Sequence, residues 1–165
     1  MANTDNYFGY TLDETDIAIL RELQNNGKLT TKELANEVNL SMSPVFERQK
    51  RLEKLGFIKK YVAVLDPKKL GYGMSVICNI RLKQHSRENG AQFVEAISKI
   101  DEVTDCWNTS GDYDFMIRVY TRDMEHYQQF VLNVLGDIES IGSLHSIFVI
   151  GTVKSSHALP LPTKE

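Results

Sequence analysis

Between Asp13 and Gly56 the chain carries three helix starts in quick succession, and the last two are too close for their helices to lie antiparallel. Asp13, with Asp16 three residues on, can cap a first helix, and Leu12 with Ile17 makes a hydrophobic staple around it. Ile17, Leu20 and Leu23 then form an apolar face, and Gly27 closes the helix after Asn25 and Asn26. Thr30 and Glu33 make a capping box for a second helix, with Leu29 and Leu34 as its staple and Leu34, Ala35 and Val38 facing inward. Asn39-Leu40-Ser41-Met42 is the turn, with Asn39 suited to a left-handed backbone. Ser43 is expected to cap the third helix, because Pro44 favours the first helical position and disfavours helix at the residue before it. Val45, Leu52 and Leu55 face inward, and Gly56 ends the element. Two helices across so short a turn predict a helix-turn-helix.

The charge of that third helix sets it apart. Residues 41–60 hold six cations (Arg48, Lys50, Arg51, Lys54, Lys59, Lys60) against Glu47 and Glu53, a balance of +4 on a chain of net charge −3. A basic helix on an acidic protein faces something negative, and duplex DNA is the leading partner.

Composition excludes several other classes. At 165 residues, 42% hydrophobic and 25% charged, the chain reads as an ordinary globular protein of one or two domains. No apolar run approaches the ~20 residues of a membrane span, and the first ten residues lack the cationic start and apolar core of a secretory signal. Cys78 and Cys106 read as isolated thiols in a reducing cytosol. The four histidines are scattered, so neither a metal site nor a cofactor is expected.

After the helices, Phe57 to Asp66 turns β-like until Asp66-Pro67 breaks it, and Lys68 to Gly73 reads as a hinge. We therefore expect a DNA-binding domain over residues 11–66, a hinge over 67–73, a second domain over 74–153 and a tail over 154–165. In the second domain strands are expected over 74–82, 103–109, 114–120 and 142–150, with helices over 87–100 and 124–135. The order βαββαβ is the ferredoxin-like split βαβ unit, and the whole chain is α+β. Such a sheet keeps one face bare of helices. Ile77, Met116, Tyr120, Phe148 and Ile150 are assigned to that face, which is too apolar to remain in water. A homodimer pairing two sheets is expected, the alternative being that the tail folds over the face.

Taken in order, these pieces resemble the leucine-responsive/asparagine regulator (Lrp/AsnC) family over nearly the whole chain, from Leu12 to about Leu161. The matching residues are Leu12-Asp13-x-x-Asp16 with Ile19-Leu20, Glu33-Leu34-Ala35, Leu40-Ser41-x-x-Pro44-Val45-x-x-Arg48, Arg51-Leu52-Glu53-x-x-Gly56-Phe57-Ile58, Leu70-Gly71 and Gly111-Asp112-Tyr113-Asp114. Gln49, Met42 and Asn39 depart from it, standing where a branched apolar residue, proline and glycine are usual. The resemblance implies a transcription regulator of amino-acid metabolism, with an N-terminal winged-helix-like domain and a C-terminal amino-acid-sensing domain. It also implies dimers that assemble further, often to octamers, and a cytoplasmic, nucleoid-associated protein.

Site residues follow from both sources. Ser41, Ser43, Phe46, Glu47 and Gln49 lie early enough on the third helix to approach a major groove. Arg48 and Arg51 are the strongest candidates, since guanidinium binds phosphate or guanine in bidentate fashion, although Arg51 can equally pair with Glu47 one turn away. Lys50, Lys54, Lys59 and Lys60 read as phosphate contacts, although Lys54 taken alone reads better as a solvated surface residue. For a free amino acid, the Gly111-Asp112 turn offers backbone N–H donors beside a carboxylate on Asp112 or Asp114. A plain hairpin turn explains the same pair, and the resemblance favours a ligand loop there, with Ser146 a further candidate. Tyr113 and Trp107 can line the pocket or simply pack. Leucine or methionine as effector rests on the resemblance alone. Two rival classes stand beside the regulator, a haem-pathway decarboxylase-like enzyme and an architectural DNA-binding protein without effector. The chain is read as not an enzyme, because its cations gather on the third helix and no nucleophile–base set is evident.

Overall fold

The computed structural model describes residues 10–162. They form two compact units, one reaching Val64 and including the segment from Lys154, the other spanning Leu65–Val153.

The first unit is built on three helices, α1 (Glu14–Asn25), α2 (Thr31–Glu37) and α3 (Met42–Lys54). Both capping boxes form: Asp13 accepts from the Asp16 amide at 2.8 Å, and Thr30 from the Glu33 amide at 3.2 Å. Asn39 takes the left-handed conformation in the turn, φ 53°, as does Gly56 past α3, φ 81°. Ile19, Leu23, Leu34, Ala35, Val45 and Leu52 make the core. Three details depart from the sequence reading. Ile19 rather than Ile17 centres the buried stripe of α1, because Asp16, Ile19 and Leu23 share the helical face. Ser41, not Ser43, precedes α3, so Pro44 is its third residue, where the missing N–H still belongs to the unpaired first turn. Leu55 sits at the helix end, half exposed.

Residues 57–66 form no strand, because no ladder partner exists for them among the described residues. Within the first unit this run packs back through Tyr61, whose ring approaches Gly27 so closely that an added Cβ would lie 3.1 Å from it. The C-terminal segment also belongs to this unit, with Leu159 exchanging two hydrogen bonds with Gln24, at 3.0 and 3.2 Å.

The second unit contains β1 (Met74–Leu82), α4 (Arg87–Ile97), β2 (Val103–Asn108), β3 (Phe115–Thr121), α5 (Met124–Phe130), which continues through a π turn at Val131–Leu135, and β4 (Ile141–Phe148). The sheet is antiparallel throughout in the order β2-β3-β1-β4, the ferredoxin-like arrangement. Val76, Cys78, Ile80, Ile117 and Val119 point toward α4 and α5 and meet Phe93, Ile97, Tyr127 and Phe130 in one core. Cys78 is buried, Cys106 exposed, and both are free thiols.

The register corrects the bare face. Val76 pairs with Phe148 and Ile77 with Ile147, so Phe148 lies on the helix side, its ring 5.3 Å edge-on to Tyr127, and Ile147 belongs to the bare side. Ile150 lies beyond the end of β4 and is fully exposed. A one-residue slip in reading a strand exchanges its faces. The bare face thus carries Ile77, Met116, Tyr120, Trp107 and Ile147, with Arg118 set over the Trp107 ring at 5.6 Å and paired with Asp105.

Candidate nucleic-acid interface and effector turn

The third helix divides into an outward and an inward set. Ser41 just before the helix, Ser43, Phe46, Glu47 and Lys50 along it, and Lys54 at its end are exposed. The Lys50 ammonium stands 5.8 Å above the Phe46 ring and pairs with Glu53 at 2.8 Å. Lys54, Lys59 and Lys60 are exposed with no ion-pair partner among the described residues.

Arg48 and Gln49 turn the other way. The Arg48 guanidinium pairs with Asp13 and reaches Asp16 at 2.8 Å. Arg51 reaches the same Asp16 oxygen at 3.2 Å, rather than Glu47, and lies 4.8 Å over the Tyr10 ring. Tyr10 donates its hydroxyl to the other Asp16 oxygen at 2.6 Å. Asp16 is fully buried, and a buried carboxylate is tolerable only with such partners. Burial alone would raise the Asp13 carboxyl, but the Asp16 amide and Arg48 outweigh it and hold Asp13 below the usual carboxylate range. Gln49 donates to the Tyr61 hydroxyl at 3.0 Å and, at 3.4 Å, to Glu53, which Tyr61 also reaches. The two arginines expected to lead DNA recognition are therefore engaged within their own domain. In the sequence Asp16 reads only as the third residue of a capping box. Its second task was signalled by two arginines three residues apart facing an acidic first turn, but only packing joins them.

In the second unit, residues 109–114 make a tight turn between β2 and β3. Gly111 has φ 120°, a conformation that favours glycine. The Asp112 carbonyl accepts two bonds from Arg81, at 2.9 and 2.6 Å, while its carboxylate has no partner among the described residues and is exposed. Asp114 is occupied: one oxygen accepts from the Leu82 amide at 2.8 Å, the other meets His85 Nδ1 at 2.6 Å. The Leu82 amide bond outweighs burial and, with His85, holds the Asp114 carboxyl below its ordinary range. Tyr113 is half-buried, stacked 6.2 Å from His145 and 5.8 Å from the Arg81 guanidinium. Ser146 is not in this group. It pairs with Cys78 across the sheet, on the helix side, and its hydroxyl bonds the Tyr127 hydroxyl at 2.5 Å. Tyr127 also bridges to the Cys78 thiol at 3.2 Å, and burial pushes its hydroxyl well above the ordinary tyrosine value. Among the described residues no cluster of histidine, cysteine and carboxylate residues is arranged to hold a metal.

A three-helix unit presenting the outer side of its third helix, together with a ferredoxin-like domain, defines a helix-turn-helix regulator with an effector domain. A family model of a winged helix-turn-helix DNA-binding domain matches residues 12–59, and one of the Lrp/AsnC ligand binding domain matches residues 75–159. The chain belongs to the Lrp/AsnC family of transcription regulators. It is 34% identical to the transcriptional regulator AzlB of Bacillus subtilis, covering 93% of this chain and 98% of that one. It is 33% identical to the leucine-responsive regulatory protein of Escherichia coli K12, covering 94% and 95%. A solved structure of a transcriptional regulator from Neisseria meningitidis in complex with L-Met superposes with a TM-score of 0.88 at 33% identity, covering 91% of this chain and 97% of that one. The protein is a DNA-binding transcription regulator, and its curated relatives are named as regulators, not enzymes, which sets the decarboxylase-like alternative aside.

Proposed function

We propose that the protein selects promoter DNA through the outward side of α3 and adjusts that binding to a free amino acid held at the Gly111-Asp112 turn. The observation that carries the reading is the division of α3: Ser43, Phe46, Glu47 and Lys50 project outward while Arg48 is tied down. Ser41, Ser43, Phe46 and Glu47 approach base edges, and Lys50, Lys54, Lys59 and Lys60 hold phosphates. Arg51 is held by Asp16, and Gln49 serves the Tyr61 contact.

The effector is an amino acid with an apolar side chain, leucine or methionine. The Asp112 carboxylate takes its ammonium, and exposed amides of the Gly111 turn take its carboxylate. Asp114 shapes the turn and Ser146 has no part in the site. The working unit is a homodimer joined through the bare face of the sheet, assembling further to an octamer. Its two α3 helices would lie about one DNA turn, ~34 Å, or a multiple of it apart. Its place is the cytoplasm, on the nucleoid, and no described helix is long and apolar enough to cross a membrane.

Selection from a random duplex library, followed by titration with each of the twenty amino acids, tests both halves. The expected result is one enriched, near-palindromic sequence whose binding responds to leucine or methionine. A ligand at ~100 times its dissociation constant also adds roughly 2.7 kcal/mol of stability, visible as a thermal shift. Enrichment of no sequence overturns the promoter reading. Selective binding indifferent to all twenty leaves an effector-independent regulator and overturns the amino-acid reading.

A further inference from the structure

Asp16 is a fully buried carboxylate in the first turn of α1, and it draws three donors from elsewhere in its domain. Arg48 and Arg51 converge on one oxygen, at 2.8 and 3.2 Å, and Tyr10 occupies the other at 2.6 Å. Asp13, one turn earlier, holds Arg48 from the surface side. Val45 and Leu52 join α3 to the core of the domain by apolar contact, which is non-directional. A guanidinium held by hydrogen bonds of fixed direction resists rotation of α3 about its axis. The rotation matters because Ser43, Phe46, Glu47 and Lys50 occupy the side opposite to Arg48, and a small turn of the helix would carry all four off the groove.

We propose that Asp16 is a positioning residue for DNA recognition: by binding Arg48 and Arg51 it fixes the rotation of α3 and keeps both guanidiniums off the phosphate backbone. This rests on the reading that the outward side of α3 meets DNA. Its sign differs from that of a DNA contact. Two arginines withheld from phosphate lower non-specific affinity, which is electrostatic, and leave selection to the base-facing residues. Freed, they would add affinity for any duplex and blur the choice between duplexes.

The experiment measures binding of the full chain to its selected duplex and to a scrambled one across a range of salt, for wild type, Asp16→Asn, Arg48→Gln and Tyr10→Phe. In Asp16→Asn we expect selective affinity to fall at least tenfold and scrambled-duplex affinity to hold or rise. The dependence of log K on log salt should steepen, by about 0.9 for each phosphate newly contacted. Arg48→Gln should reduce selectivity with no decrease in the salt slope, since the wild-type side chain touches no phosphate. Tyr10→Phe keeps the ring and removes one donor to Asp16, so it should lose selectivity by a smaller factor in the same direction. This last variant decides the matter where Asp16→Asn does not fold.

A salt slope that falls by about one in Arg48→Gln would make Arg48 a phosphate contact and overturn the proposal. So would folded Asp16→Asn of unchanged selectivity, or equal loss on both duplexes at an unchanged slope, which is the signature of a merely structural carboxylate. Should Asp16→Asn not fold, undiminished selectivity in Tyr10→Phe would overturn it too. Wild type without preference for any duplex would instead sink the promoter reading itself, so the two failures are distinguishable.

Discussion

Arg48 reaches Asp16 at 2.8 Å across thirty-two residues of sequence, joining the middle of α3 to the first turn of α1 through a carboxylate that water does not touch. Leaving one member of such a pair without its partner is costly when the remaining charge stays buried. Here the arginines keep an outlet, since the side chains of Arg48 and Arg51 are 27% and 43% exposed. Asp16→Ala should therefore cost less than a fully enclosed pair would, about 2–3 kcal/mol. Chemical denaturation of the full chain measures it. A loss under about 0.5 kcal/mol would mean the cluster adds no more than an ordinary surface pair.

The Tyr61 hydroxyl joins Gln49 and Glu53 at 3.0 and 3.1 Å, and its ring lies against Gly27. Tyr61→Phe should cost about 1 kcal/mol, the ordinary net worth of a hydrogen bond. Gly27→Val should cost more, because even its Cβ must push the ring away from 3.1 Å. Comparing the two by thermal unfolding tests the packing: equal and negligible shifts would mean that the run after α3 is not held to the helices in solution.

Much of this architecture was legible because its signals are local. Asp13 and Thr30 cap where a polar residue precedes an apolar repeat by a fixed offset, and Asn39 sits where an αL residue is needed. The strands were legible from alternation, and β1 begins and ends at Met74 and Leu82 as read. What failed depended on contacts at long range. Whether Phe148 or Ile147 meets the helices is settled by register with β1, and alternation alone is silent about which set is inside. The pairing of Arg48 with Asp16 was not legible either, because charge counts along a helix do not say which cations already have partners. Residues 57–66 carry strand-like composition, but a strand needs a neighbour, and composition cannot supply one.

The Asp114 carboxylate ties the Gly111 turn to β1 through the Leu82 amide and to His85. Its folded-state pKa is lowered, so it adds stability above the unfolded carboxylate value near ~3.9, and this is lost as pH falls through the folded value. Asp114→Asn should cost about 1–2 kcal/mol at pH 7. The gap from wild type should then narrow below about pH 4. Denaturant titrations at several pH values check the sign, and a gap that widens in acid would refute it.

Lys59 and Lys60 follow α3 and are exposed without ion-pair partners among the described residues, whereas Lys50 is paired with Glu53. Changing both lysines to alanine should weaken all duplexes alike and make the salt slope shallower by up to about 1.8, at roughly 0.9 per phosphate lost. Selectivity should be unchanged. A drop confined to the selected duplex would assign these residues to base reading, contrary to their proposed role.

Ile77 and Ile147 face each other on the bare side of the sheet, with Met116, Tyr120 and Trp107 beside them. An apolar surface of this kind is suited to burial against a second copy, and a two-fold axis would place each Ile77 in or near the same contact twice. Ile77→Asp therefore introduces two carboxylates per dimer: Ile147 sits across from each on β4, and the cation across on β3, Arg118, is already paired with Asp105. A desolvated carboxylate that must share a cation already paired elsewhere costs several kcal/mol, enough to shift a dimer to monomer at micromolar concentration. Inside the monomer the same change is mild, since Ile77 lies off the core formed by Val76 and Cys78. Sedimentation velocity should show a folded monomer for Ile77→Asp where wild type sediments as a dimer or larger. A variant that keeps the wild-type assembly would exclude the bare sheet face as the contact and direct attention to the exposed Val62, Val64 and Leu65 instead.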